Sequence, residues 1–90
     1  MIYKEMVDDD NYILINKDVF SKLSLDERGL YFTICGLNQL NGMKGVTVED
    51  MHSVLPKESQ FDFELKSLEK KRAIYRTRDS ERRAYVYHVI

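Results

Sequence analysis

The sequence is poor in cysteine, proline and glycine, with one, one and four of them, and it has no tryptophan. A lone Cys35 cannot close an internal disulfide, which excludes a small secreted domain stapled by cystines. With a single proline and no low-complexity tract there is no linker at which to divide the chain, so residues 1–90 are expected to form one domain. No apolar run approaches the ~20 residues that span a bilayer, and no signal-peptide pattern opens the chain. The expectation is a cytoplasmic protein that does not contact membrane. Equally missing are a glycine-rich phosphate loop, a metal-ligand cluster, a nucleophile–base pair and converging carboxylates. No enzyme is expected, and no catalytic residue, metal or cofactor is assigned.

What is present is 43% hydrophobic and 32% charged, enough apolar material for one small core. The charge is uneven. Residues 1–55 carry five Lys/Arg and nine Asp/Glu, a net of −4, and residues 56–90 carry nine and six, a net of +3. This asymmetry fits either a C-terminal face that meets an anionic partner or ordinary surface variation.

The opening stretch has strand propensity in two short segments, the second being Tyr12-Ile13-Leu14-Ile15. Between them Asp8-Asp9-Asp10-Asn11 is turn chemistry; consecutive carboxylates on a turn do not converge on a cation. Ser24 followed by Glu27 is a capping box that starts a first helix. Leu30, Ile34 and Leu37 form its apolar stripe, and Tyr31, Phe32 and Cys35 extend the apolar surface, which places this helix at the centre and Cys35 in the core. Asn41-Gly42-Met43-Lys44-Gly45 ends it. Thr47 and Asp50 cap a short second helix with Val48, Met51 and Leu55 inward, and Pro56 stops it or sits just past it. His52 has no second ligand at metal spacing and is expected at the surface. A third helix is expected over residues 57–72. Ala73–Thr77 and Arg83–Ile90 then alternate as the strands of a hairpin with a polar tip, His88 being a sheet position.

Three helices, the last two joined by a tight turn, followed by a hairpin, is a winged helix-turn-helix order, an α+β fold with an N-terminal strand and a C-terminal two-stranded wing. The stretch Leu23-Ser-Leu-Asp-Glu-Arg-Gly-Leu-Tyr31 and its continuation to Leu37, preceded by Tyr12-Ile-Leu-Ile-Asn-Lys-Asp18, resembles the first helix of winged-helix domains in phage and plasmid replication initiators and replisome organisers. Leu65–Arg76 resembles the end of that family's recognition helix and the start of its wing. The resemblance covers residues 11–90 and implies DNA binding, with helix 57–72 in the major groove and wing 73–90 on the backbone. Where that family often has glycine after the third helix, this chain has Arg72, which must avoid a left-handed conformation or bear its strain.

At about 100° per residue, Phe61, Leu65 and Leu68 fall on one side of the third helix and form its core stripe. The opposite ridge collects Ser59, Phe63, Lys66 and Lys70, with Gln60 on a flank. Serine and lysine there suit phosphate and base-edge contacts. Phe63 either touches a thymine methyl, fills a groove in a protein partner, or is covered by the N-terminal segment. Asp62 on the flank either balances Lys66 four residues on, the preferred reading, or accepts from a cytosine amino group. In the wing, Arg76, Arg78, Arg82 and Arg83 suit a phosphate grip or minor-groove entry, or else protect a sheet edge.

Two functions follow. The first is a small phage- or plasmid-type DNA-binding protein, a regulator or replication accessory, contacting double-stranded DNA through Ser59, Gln60, Phe63, Lys66, Lys70, Arg76, Arg78, Arg82 and Arg83. A possible homodimer would form through the N-terminal segment. The second is a protein-binding winged helix that inhibits a host factor such as a nucleic-acid-guided defence nuclease, using Phe63 with Tyr85 or Tyr87 as anchors and the acids Asp8, Asp9, Asp10, Asp26 and Glu27 against a basic channel. The near-zero net charge favours taking the second seriously, because DNA-binding domains of this size are commonly basic.

Overall fold

A computed structural model describes residues 13–56 and 60–90. Within them the chain is α+β, with four helices and a two-stranded antiparallel sheet. The order is α1 (Lys17–Phe20), α2 (Leu25–Leu40), α3 (Val48–Val54), α4 (Asp62–Lys70), β1 (Ile74–Asp79) and β2 (Ala84–Val89).

The long α2 is the hub. Its capping box forms as the sequence predicts: the Glu27 amide donates to Ser24 Oγ, and the Ser24 amide donates to Glu27 Oε1 at 2.7 Å. Leu30, Tyr31, Ile34 and Cys35 are buried around it with Leu23, Val46, Met51, Phe61, Leu65, Leu68, Ala73, Ile74 and Tyr87. Cys35 is therefore core, and burial pushes its thiol up to about 11. Phe32, on the far side of α2, is 47% exposed, so this helix is not apolar-covered all round.

α2 and α4 end in the same way with different residues. After α2, Gly42 at φ 76° lets the Met43 amide return to the Asn38 carbonyl at 2.7 Å. After α4, the Ala73 amide returns to the Leu68 carbonyl at 2.9 Å, but the left-handed residue is Arg72 at φ 59°. Of the two options open to Arg72, the fold takes the strained one. Gly45 is required for another reason. A side chain there would collide with Val86 and His88, and its absence lets Val46 bridge Tyr87 on the flank of β2.

α3 is a two-turn helix with the expected Thr47–Asp50 capping box and a fully buried Met51. Leu55 leaves it in an extended conformation at ψ 151°, as a residue before proline must.

Several expectations need correction. The described part of the expected strand Tyr12–Ile15, residues 13–15, is not a strand. The Leu14 amide and carbonyl are instead held by the side-chain amide of Gln39, at 2.9 and 2.6 Å, which supplies the donor and acceptor a neighbouring strand would have supplied. Tyr12, the earlier extended segment, the Asp8–Asn11 turn and the segment suggested for a homodimer lie outside the described residues. A short helix, α1, follows Asn16, whose side chain caps it. The third expected helix is shorter than residues 57–72. α4 begins at Asp62 because Phe61 turns inward as its N-cap and joins the core. His52 is half-buried, with its ring centroid 4.9 Å from that of Phe61, which packs against it. The hairpin tip also shifts, to Ser80–Arg83. No helix of the described residues is long and apolar enough to cross a membrane.

Candidate nucleic-acid interface

α4 is fastened to α2 by one carboxylate. Glu27, only 5% exposed, accepts from Lys71 Nζ at 2.6 Å and from the Ser67 hydroxyl while it caps α2. The bonds from Lys71, Ser67 and Ser24 hold its carboxyl down at about 2 against the cost of burial. Leu65 and Leu68 bury the inner face of α4 against the same core. The outer ridge is thereby turned to solvent: Phe63 is 81% exposed, and Lys66 and Lys70 are exposed. Gln60 is exposed just before the helix, and Ser59 lies outside the described residues. Asp62 and Lys66 form no ion pair, contrary to the sequence expectation; the ion pairs among the described residues are Lys71–Glu27, Arg76–Glu69 and Arg82–Asp50.

The hairpin stands beside this ridge. Pairing runs from Ile74–Val89 to Asp79–Ala84, which puts Ile74, Arg76 and Arg78 on one face with Tyr85, Tyr87 and Val89. At the base of that face Ile74 and Tyr87 enter the core. Further out, the guanidinium carbons of Arg76 and Arg78 lie 4.6 and 5.5 Å from the Tyr85 ring centroid. Arg76 also reaches Glu69 of α4 at 3.5 Å. Asp62, Leu65, Lys66, Glu69, Arg76 and Tyr87 line a shared cleft between α4 and the hairpin. Cations from two consecutive elements, Lys66 of α4 and Arg76 of β1, therefore border one groove together with the carboxylates of Asp62 and Glu69.

The tip is built by Asp79, whose carboxylate accepts from the Glu81 and Arg82 amides at 2.9 and 3.2 Å. Asp79 is thus a turn residue first and a counter-charge second. Arg83 closes the loop at φ 53° with its side chain exposed. Arg82 turns away to α3, where it pairs with Asp50 at 2.7 Å. Burial opposes the Asp50 charge, but bonds from Thr47 and the nearby Arg82 outweigh it and leave the carboxyl lowered. On the other face of the sheet, His88 Nε2 lies 2.9 Å from Thr77 Oγ1, and its ring stacks on Tyr75.

Of the residues singled out in the sequence, Lys66 and Arg76 meet at the cleft, Arg78 stacks on Tyr85, and Arg82 is held apart from them. Three residues named in the sequence for other reasons organise this surface in roles the sequence did not show: Glu27 as the anchor of α4, Asp50 as the holder of Arg82, and Tyr85 as the ring against which two arginines lie. Asp50 and Glu27 carried a local signal only as caps; their second partners are 32 and 44 residues away. No protein-family model, curated protein or solved structure matches this chain.

Proposed function

We propose that this chain is a winged-helix protein that binds double-stranded DNA, with α4 in the major groove and the β1–β2 hairpin against the phosphate backbone, in a regulatory or replication-accessory role of phage or plasmid type. The element order supports the reading: a long helix, a single-residue bridge at Val46 beside β2, a short helix, α4 and a hairpin. The observation that carries it is the cleft that Lys66 of α4 and Arg76 of the hairpin both line, with Lys70 and Arg78 exposed on the same two elements. Residues 62–83 hold eight Lys/Arg and five Asp/Glu, a local net of +3 in a chain of net −1. Lysines and arginines placed so supply the sequence-independent affinity that phosphate contacts give, and release counterions in doing so.

Titration with random-sequence duplex DNA at low and moderate salt tests the reading. Binding is expected to weaken steeply with salt, and Lys70→Ala with Arg78→Ala is expected to lower the slope by about two. Absence of binding at ~50 mM salt would overturn the reading, since non-specific contacts are strongest there.

One observation favours a second reading, a protein-binding winged helix that blocks a host factor. Phe63 is 81% exposed between Asp62 and Glu64, an aromatic anchor in an acidic setting. That reading predicts no duplex binding and a complex with a basic protein that Phe63→Ala abolishes.

A further inference from the structure

Phe63 is the one residue of the α4 ridge whose chemistry is not that of a phosphate contact. It stands in the first turn of the helix, 81% exposed, and takes no part in the core. Its neighbours Asp62 and Glu64 carry negative charge in that same turn, and neither forms an ion pair among the described residues. Lys66 and Lys70 follow one and two turns later on the same ridge. α4 is therefore polarised along its outer ridge, with Asp62 and Glu64 flanking Phe63 at the leading end and Lys66 and Lys70 behind it, while the one acid of the trailing end, Glu69, is turned to Arg76 of the hairpin.

That polarity decides how such a helix can approach a duplex. A phosphate against the first turn would meet two carboxylates, and those acids already offset the positive end of the helix dipole. The leading end is repelled from the backbone and tolerated only over base edges. There a carboxylate accepts from the exocyclic amino groups of cytosine or adenine, and an apolar side chain contacts the C5-methyl of thymine. The trailing lysines meet the backbone as the helix leaves the groove.

We infer that Phe63 is a specificity-determining residue that reads the C5-methyl group of a thymine in the major groove, next to a base whose amino group faces Asp62. The inference rests on the DNA-binding reading above and deepens it. It assigns Phe63 to discrimination between duplexes and the lysines and arginines to affinity for all of them.

The test begins with selection of bound duplexes from a random-sequence pool by the full chain. The recovered duplex is then synthesised with uracil in place of thymine, which removes only the methyl groups. Binding is expected to weaken about fourfold for each contacted methyl, the worth of one buried methyl group. Phe63→Ala is expected to bind the thymine and uracil duplexes alike, while Phe63→Leu keeps part of the difference. Phe63 is nearly free of packing, so these variants keep the fold, and thermal unfolding checks this. Equal binding of the two duplexes by the unaltered chain overturns the inference and leaves DNA binding standing. Failure to recover any duplex overturns both.

Discussion

Arg72 sits in the left-handed region at φ 59°, in a helix-ending motif that Gly42 serves at the end of α2. A residue with a Cβ bears about 1–2 kcal/mol there, of which glycine would recover part, offset by the extra freedom it gives the unfolded chain. Arg72→Gly is expected to raise stability by about 1 kcal/mol, seen as a rise in Tm of about 4–8 °C in a domain of this size. An unchanged or lower Tm would mean that the arginine side chain offsets its own strain. Phe63 is the contrasting residue: with 81% of its surface in water, its truncation should leave Tm unmoved while altering what the protein binds.

At the scale of elements, the question is what holds α4 in place. Glu27 joins α2 to α4 through Lys71 and Ser67, and its carboxyl is lowered from 4.5 to about 2. The folded-state value lies below the unfolded one. Its stabilisation is therefore complete above pH 4.5 and lost as pH falls toward 2. A shift of this size corresponds to about 3 kcal/mol at most, less some screening because Lys71 is partly exposed. Glu27→Gln should keep the cap on α2, lower stability at neutral pH by about 2 kcal/mol, and flatten the loss between those pH values, as read from urea midpoints across pH. A variant with the parent's acid sensitivity would show that other carboxylates carry it, Asp50 being the first candidate because it too is lowered.

For the whole molecule, net charge understates the cationic surface and ion pairing restrains it. Arg76 and Arg82, two arginines of the hairpin, are held by Glu69 and Asp50, acids of α4 and α3. A phosphate approaching the hairpin competes with those carboxylates. Glu69→Gln with Asp50→Asn is expected to tighten binding to random duplex DNA and steepen its salt dependence, measured by fluorescence anisotropy at several salt concentrations. Asparagine at position 50 retains an acceptor for the Thr47 amide, so α3 keeps its cap. Unchanged affinity and slope would place the bound DNA away from the hairpin arginines.

Local chemistry alone determined much of this protein. The capping boxes at Ser24 and Thr47, the glycine end of α2, the end of α3 before Pro56 and the inward stripe Phe61–Leu65–Leu68 all depend on residues within a few positions of one another and appear where local spacing puts them, and the hairpin appears with its tip shifted to Ser80–Arg83. Helical phase was also enough to place Phe63, Lys66 and Lys70 on the outside. Tertiary structure decided the rest. It denied Ile13–Ile15 a strand, because Gln39 of α2 satisfied the Leu14 backbone groups. It began α4 at Asp62, because Phe61 was needed in the core. It drew Arg82 to Asp50 and Arg76 to Glu69, separating hairpin arginines that look equivalent in sequence. The division follows from range: caps and amphipathic phase are settled within one or two turns of chain, whereas the choice of partner for a charge or an unpaired backbone group depends on which distant element arrives beside it.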